Sequence, residues 1–121
     1  MKILVAEDSF NYGVILQTFL NSSGYENVWV KDGEEAAQKL LNEKFDLLIT
    51  DILMPGKDGF ELLQLIKDEN ISIKSIVLTG KKTENDAVRA LELGADDFVT
   101  KPFNIGEFGV RIKKILGAKN D

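Results

Sequence analysis

Five short apolar segments alternate with five amphipathic stretches along the whole chain. The apolar segments, which predict strands, are 3–6, 28–30, 45–50, 75–78 and 97–100. The stretches after them carry apolar residues near helical spacing, and the first has them at Phe10, Val14, Leu16, Phe19 and Leu20. Because alternating strands and helices build a parallel sheet with right-handed crossovers, the pattern predicts one doubly wound α/β domain over residues 1–121.

Capping signals agree with these helices. An oxygen-bearing side chain stands three residues before an acid at four predicted helix starts, the spacing of a capping box. The pairs are Asp32 with Glu35, Asp58 with Glu61, Thr83 with Asp86 and Asn104 with Glu107. Gly24 and Gly94 mark helix ends, where a left-handed backbone favours glycine.

Composition excludes several classes of function. With 15 basic and 20 acidic residues the formal net charge is −5, which argues against direct nucleic-acid binding by this domain. The chain has no Cys and no His, so disulfides, zinc sites and histidine bases are excluded and any metal must bind oxygen. No apolar run nears the roughly 20 residues that span a bilayer, and no signal peptide pattern is present. We therefore expect a cytoplasmic protein without membrane contact.

Polar residues stand at the carboxyl ends of four predicted strands. The near-continuous apolar run 45–50 predicts a strand buried on both faces, and it delivers Asp51. The other strands end in Glu7-Asp8, Thr79-Gly80 and Lys101-Pro102. Ligands of open α/β sheets bind beyond the carboxyl ends of the strands, so these residues are candidates for one site.

Three carboxylates at one edge imply a compensating cation. Each pair would repel by ~4 kcal/mol at about 4 Å and an effective dielectric near 20. With oxygen ligands only, Mg²⁺ is the natural choice, and Lys101 and Thr79 add donors suited to a phosphoryl group. Taken singly, each residue could be a cap, a turn residue or a solvated charge. The prediction depends on their occurring together.

The motifs VAEDS, ITDILMPGKDG, LTG and GADDFVTKPF occur in this order at the ends of the first, third, fourth and fifth strands. In this order and spacing the chain resembles the receiver domain of two-component response regulators over essentially its whole length. The resemblance implies a flavodoxin-like sheet of order 2-1-3-4-5 with five helices.

The resemblance also implies roles for the site residues. Asp51 would accept a phosphoryl group from a histidine kinase, a phosphotransfer protein or a small donor. Asp8, Asp51 and the backbone oxygen of Leu53 would bind Mg²⁺, with Mn²⁺ as a substitute, and Glu7 would act mostly through water. Glu7 departs from the Asp found in many members. Lys101 would contact the phosphoryl oxygens.

A switch to an output surface is implied as well. Thr79 would move toward the phosphate and Phe98 would rotate inward, while Pro102 would follow a cis peptide bond. The fourth helix, fifth strand and fifth helix would then control an effector domain or a downstream protein. Charged positions that form symmetric dimers in members with winged-helix outputs are matched by Asp96, Asp97, Glu107 and Arg111. Ala87 and Ala118 replace the usual basic partners, so we expect only a weak, phosphorylation-dependent homodimer.

Two positions are expected to set the lifetime of the phosphoryl group. In the family, the side chains two residues after the phosphorylated Asp and two after the Thr flank the attacking water; here they are Leu53 and Lys81. Leu cannot orient a water and Lys cannot accept its proton. Slow autodephosphorylation follows, and the domain would catalyse only its own phosphorylation and this hydrolysis. Alternatively both side chains face solvent, and Mg²⁺ and Lys101 set the rate.

Three other functions are less consistent with the residues at the strand ends. A flavin-mononucleotide module would need a phosphate loop where Glu7-Asp8 repels phosphate. A Mg²⁺-dependent phosphatase with an aspartyl-phosphate intermediate usually has a second acid where this chain has Leu53. An interaction module that is never phosphorylated would not need the complete set of acids, Thr and Lys. Both a stand-alone regulator and a receiver that belongs to a longer protein are compatible with this sequence.

Overall fold

The computed structural model describes residues 1–80 and 84–117. Its strands are β1 (Lys2–Ala6), β2 (Glu26–Val30), β3 (Leu47–Asp51), β4 (Lys74–Thr79) and β5 (Asp97–Thr100). Its helices are α1 (Phe10–Ser22), α2 (Gly33–Asn42), α3 (Gly59–Asp68), α4 (Glu84–Glu92) and α5 (Ile105–Leu116). The longest of these described helices, α1, has 13 residues, and none is long and apolar enough to cross a membrane.

The five strands form one parallel sheet in the order β2-β1-β3-β4-β5. This confirms the predicted doubly wound class and the strand order that the resemblance implied. In the register between β1 and β3, Ala6 is opposite Thr50. The residues that follow, Glu7 and Asp51, therefore emerge at the same level of the sheet.

Both faces of the sheet are covered by hydrophobic cores. All five residues of β3 are buried, as predicted for a strand with helices on both sides. Leu47 and Ile49 face one core, which includes Phe108 of α5, and Leu48 faces the other, which includes Leu62 of α3. A strand held from both sides gives Asp51 a rigid base.

Two strands start two residues away from their predicted starts, and the other strand boundaries lie within one residue of the prediction. β3 begins at Leu47 rather than at residue 45, because Phe45 packs into the core beside α2 and α3 before the strand starts. β2 begins earlier than predicted, at Glu26, because Glu26 and Asn27 pair with the start of β1 at the edge of the sheet. Polar residues at a sheet edge leave no apolar signal in the sequence.

Helix α1 buries only part of the apolar face that the sequence predicts. Leu16 and Leu20 are fully buried, whereas Phe10 and Val14 are 64% and 39% exposed. Gly13 is the third buried residue of this helix. Glycine contributes no hydrophobicity, so periodicity alone could not place it on the buried face.

The predicted caps are present at the described helix starts. Asp58 and Glu61 form the reciprocal capping box, with N–H to carboxylate distances of 2.8 and 2.9 Å. Asp32 and Asn104 each accept a hydrogen bond from the backbone N–H three residues on. Gly24 and Gly94 end their helices at φ values of 83° and 101°. Thr83, the fourth predicted cap, lies outside the described residues.

Candidate functional site

The carboxyl edge of the sheet collects most of the predicted site residues. Glu7 follows β1, Asp51 ends β3, Thr79 ends β4 and Lys101 follows β5. Glu7, Thr79 and Asp51 are buried, while Asp8 is exposed. The edge thus offers one open carboxylate beside two that are shielded from bulk water.

Local backbone contacts hold Asp51 in place. Its Oδ1 accepts a hydrogen bond from the N–H of Ile52 at 2.7 Å. The N–H of Gly59, the first residue of α3, donates to the carbonyl of Ile52 at 2.8 Å. A β-carbon on Gly59 would lie 2.5 Å from the carbonyl oxygen of Asp51, so only glycine allows α3 to start this close. The loop after Asp51 is therefore tied back to the strand end.

Lys101 joins two of the acids. Its Nζ lies 2.6 Å from Oδ2 of Asp51 and 2.7 Å from Oε1 of Glu7. The same Nζ lies 4.3 Å from the ring centroid of Tyr12, which caps the cation with an aromatic face. The N–H of Lys101 donates to the carbonyl of Thr79 at 2.8 Å, and the peptide bond to Pro102 is cis.

Burial dominates the electrostatics of this cluster. Desolvation raises the pKa of Glu7, although the ion pair with Lys101 and the hydrogen bond from the Ser9 N–H oppose it. Desolvation lowers the pKa of Lys101, but its hydrogen bonds to Asp51 and Glu7 outweigh this and leave the pKa raised. The protein therefore favours the charged form of Lys101, whereas burial disfavours the charged form of Glu7.

The acids meet the requirements of a divalent cation. Glu7, Asp8 and Asp51 each bring one carboxylate oxygen within 4.8 Å of the others. Among the described residues, Lys101 is the cation that pairs with Glu7 and Asp51, so three carboxyl groups share one ammonium group. Oε1 of Glu7 is buried and, beyond its ion pair, has no hydrogen-bond partner of good geometry among the described residues. An all-oxygen donor set with surplus negative charge fits Mg²⁺ or Mn²⁺.

The other predicted positions surround this cluster. Phe98 is partly buried against a third core that includes Ile52, Phe60 and Ala90. The side chain of Leu53 is 68% exposed. Lys81 lies outside the described residues, so the predicted pair of lifetime positions is seen only in part.

The predicted dimer positions form contacts within the chain. Arg111 Nη1 lies 2.7 Å from Asp97 Oδ2, and Arg111 Nη2 lies 3.9 Å from Glu107 Oε1. Asp96 accepts a hydrogen bond from the N–H of Ser75 at 2.8 Å. Ala87 lies on α4, and Ala118 lies outside the described residues.

Two aromatic residues that the sequence did not predict lie next to the site. Tyr12 lies against Lys101, and the indole Nε1–H of Trp29 donates to the carbonyl of Glu7 at 2.8 Å. Trp29 is on β2, 22 residues from Glu7. Only the pairing of β2 with β1 brings Trp29 next to Glu7. From the sequence alone, an aromatic residue in a strand indicates hydrophobic packing.

Together these features define an open, doubly wound α/β domain with an acidic pocket at the carboxyl edge of its sheet. Residues 3–113 match the family model of the response regulator receiver domain. The chain belongs to this family, and the resemblance found in the sequence is confirmed.

Curated relatives are transcriptional regulators about twice as long as this chain. The transcriptional regulatory protein RprY of Bacteroides fragilis is 40% identical over 124 residues, which cover 99% of this chain and 52% of that protein. The alkaline phosphatase synthesis transcriptional regulatory protein PhoP of Bacillus subtilis is 42% identical over 115 residues, 95% of this chain and 48% of that protein. The chain spans about half the length of these relatives.

Solved receiver domains share the fold. The receiver domain of the Francisella response regulator 1452 superposes with a TM-score of 0.90 at 29% identity, covering 96% of both chains. A CheY-like receiver domain protein from Methanospirillum hungatei JF-1 gives a TM-score of 0.90 at 31% identity, covering 96% of this chain and 93% of that one. These neighbours agree with the flavodoxin-like prediction.

Proposed function

We propose that this chain is the phosphoacceptor domain of a two-component system and that Asp51 carries the phosphoryl group. One carboxylate oxygen of Asp51 forms the bond to phosphorus while the P–N bond to a kinase or phosphotransfer histidine breaks, and the imidazole keeps the electron pair. The observation that carries the proposal is the position of Asp51 within one cluster with Glu7, Asp8 and Lys101.

Each neighbour of Asp51 has a proposed task. A bound Mg²⁺ or Mn²⁺ supplies charge neutralisation for the incoming phosphoryl group. Asp8, Asp51 and the backbone oxygen of Leu53 would hold this ion, and Glu7 would act mostly through water. Lys101, now 2.6 Å from Asp51, is placed to transfer its hydrogen bond to a phosphoryl oxygen.

The switch would run from the site to the surface of α4, β5 and α5. Thr79 is buried at the site and Phe98 packs against the core under α4, and a movement of Thr79 on phosphorylation would be accompanied by an inward rotation of Phe98. Relatives that continue beyond this length are named as transcriptional regulators, which supports control of an effector domain or a downstream protein. We further propose one domain over residues 1–121 and a cytoplasmic location.

The same surface would form a weak homodimer after phosphorylation. Arg111 already pairs with Asp97 and with Glu107 within one chain, and exchange of these pairs between two copies would cost little. Asp96 belongs to this surface, although its carboxylate is engaged by Ser75.

The phosphoryl lifetime would be long for the family. Leu53 is exposed beside the site and carries no group that could orient a water. Lys81 is the second proposed position. The domain would thus catalyse only its own phosphorylation and a slow autodephosphorylation.

Mass measurement with a small phosphodonor tests the proposal. Wild-type protein treated with acetyl phosphate and Mg²⁺ gains one phosphoryl group, and gains none with a chelator. Asp51→Asn gains none. Asp46→Asn is the matched control, since Asp46 directly precedes the same strand at its other end, and it behaves as wild type. A phosphate gain by Asp51→Asn would refute the assignment, and no gain by wild type would favour an unphosphorylated interaction module.

A further inference from the structure

The loop that joins β1 to α1 carries two of the three acids and is held by β2. The backbone N–H of Glu7 donates to the carbonyl of Val30 at 3.0 Å. The carbonyl of Glu7 accepts from the indole of Trp29 at 2.8 Å. Both backbone groups of Glu7 are thus engaged by β2, and one of them depends on a side chain.

The position of the Trp29 indole depends on the absence of a side chain at Gly13 of α1. A β-carbon built on Gly13 would overlap Cζ2 and Cε2 of Trp29. The ring therefore lies directly on the helix backbone, where another residue at position 13 would displace it. The partly buried Trp29 also packs against the core beneath α1, so its Nε1–H points to Glu7 from a supported position.

Glu7 in turn organises the start of α1. Its Oε2 accepts a hydrogen bond from the N–H of Ser9 at 3.0 Å, and the Ser9 side chain accepts from the N–H of Tyr12. Asp8 lies between these anchored residues and has the exposed carboxylate of the cluster. A shift of the Glu7 carbonyl would therefore move Asp8 and the carboxylate of Glu7 together.

We propose that Trp29 is a positioning residue for the metal site, which acts through its indole hydrogen bond to the Glu7 carbonyl and sets the affinity for a divalent cation. The proposal rests on the proposed function, since it needs Glu7 and Asp8 to serve a cation. It assigns to β2, an edge strand that contributes no ligand, a part in the chemistry at the carboxyl ends of the neighbouring strands.

Trp29 is the only tryptophan, so its N–H can be removed without any other change. Protein made with 3-benzothienylalanine in place of tryptophan keeps a ring of nearly the same shape but has sulfur where the N–H was. The matched control, 5-fluorotryptophan, passes through the same incorporation and keeps the N–H. Calorimetric titration with Mg²⁺ alone should show roughly three- to tenfold weaker binding for the benzothienyl protein, the size of one neutral hydrogen bond. The fluorinated control should bind as wild type.

A second readout separates positioning from general support. In metal-free protein, the Ser9 amide should exchange its hydrogen faster in the benzothienyl protein than in the fluorinated control. A structural role alone would lower the urea midpoint and leave both the Mg²⁺ affinity and this amide unchanged, and that result would overturn the proposal.

Gly13→Ala gives an independent approach because it displaces the indole without altering Trp29. It should also weaken Mg²⁺ binding, whereas an unchanged affinity in the folded variant would contradict the proposal. Wild type without measurable Mg²⁺ binding would overturn the metal site itself. Wild type that binds Mg²⁺ while the benzothienyl protein binds equally well would overturn only the role of Trp29.

Discussion

The two ends of β1 carry lysine–carboxylate clusters of opposite stoichiometry. At the amino end, Glu43 lies between two lysines, 2.8 Å from Lys2 Nζ and 2.8 Å from Lys39 Nζ. At the carboxyl end, Lys101 lies between two carboxylates, those of Glu7 and Asp51. The side chains of the first cluster are 27–36% exposed and those of the second 1–11%.

A glutamate in contact with lysine has opposite pKa shifts at the two ends of β1. Hydrogen bonds from Lys2 and Lys39 lower the pKa of Glu43 to about 2. Burial raises the pKa of Glu7 even though Lys101 is in contact with it. These pKa shifts predict that the amino-end cluster stabilises the fold, whereas the buried carboxylate of Glu7 at the carboxyl end destabilises it. Such a cost is typical of a binding site.

The largest difference between the two ends should appear when the lysine of each cluster is replaced by methionine. Lys101→Met keeps the aliphatic stem but removes the donor to Asp51, so the initial rate of phosphate gain from acetyl phosphate should fall by about tenfold or more. Lys2→Met, at the other end of the strand, should stay within about twofold of wild type. Timed mass spectra measure both rates. Equal losses in the two variants would mean that Lys101 supports the fold rather than the reaction.

Replacing the two glutamates by glutamine should shift stability in opposite directions. Glu7→Gln removes a buried charge and should raise the free energy of unfolding in metal-free buffer by about 0.5–2 kcal/mol. Glu43→Gln removes a carboxylate held by two cations and should lower it. Urea denaturation in the presence of EDTA measures both changes.

Magnesium should reverse the advantage of the Glu7 variant. A ligand at one hundred times its dissociation constant raises the free energy of unfolding by about 2.7 kcal/mol. At a fixed Mg²⁺ concentration, the free energy of unfolding should therefore rise more for wild type than for Glu7→Gln. If Glu7→Gln is less stable than wild type without metal, the Glu7 carboxylate stabilises the fold. The two ends of β1 would then not differ in their effect on stability.

The smallest effect is a pH dependence at the amino end. The pKa of Glu43 is lowered to about 2 from 4.5, so its stabilisation is present above pH 4.5 and is lost as the pH falls toward 2. The melting temperature of wild type should exceed that of Glu43→Gln at pH 6, and the difference should vanish over this window. Because the cluster is partly exposed, added salt should also reduce the difference. A difference that persists at pH 2 would assign it to packing.

The sequence predicted the site better than it predicted the contacts within it. Asp51 and Lys101 could be placed because each follows an apolar segment, and strand ends are recognisable from local hydrophobicity and the residues that interrupt it. That Lys101 would contact Glu7 as well as Asp51 was not predictable. Trp29 was missed for the same reason, since nothing near it in the chain indicates its partner.

Local features of the chain determined the alternation of strands and helices, most helix caps and the set of polar residues at the strand ends. These features depend on hydrophobic periodicity and on capping residues within three or four positions, and both can be recognised in the sequence itself. Only the tertiary structure decided that Glu7 is buried while Asp8 is exposed, that one lysine serves two acids, and that Trp29 holds the Glu7 carbonyl. Those outcomes require β1 to lie between β2 and β3, an arrangement of distant segments whose contacts no single stretch of sequence contains.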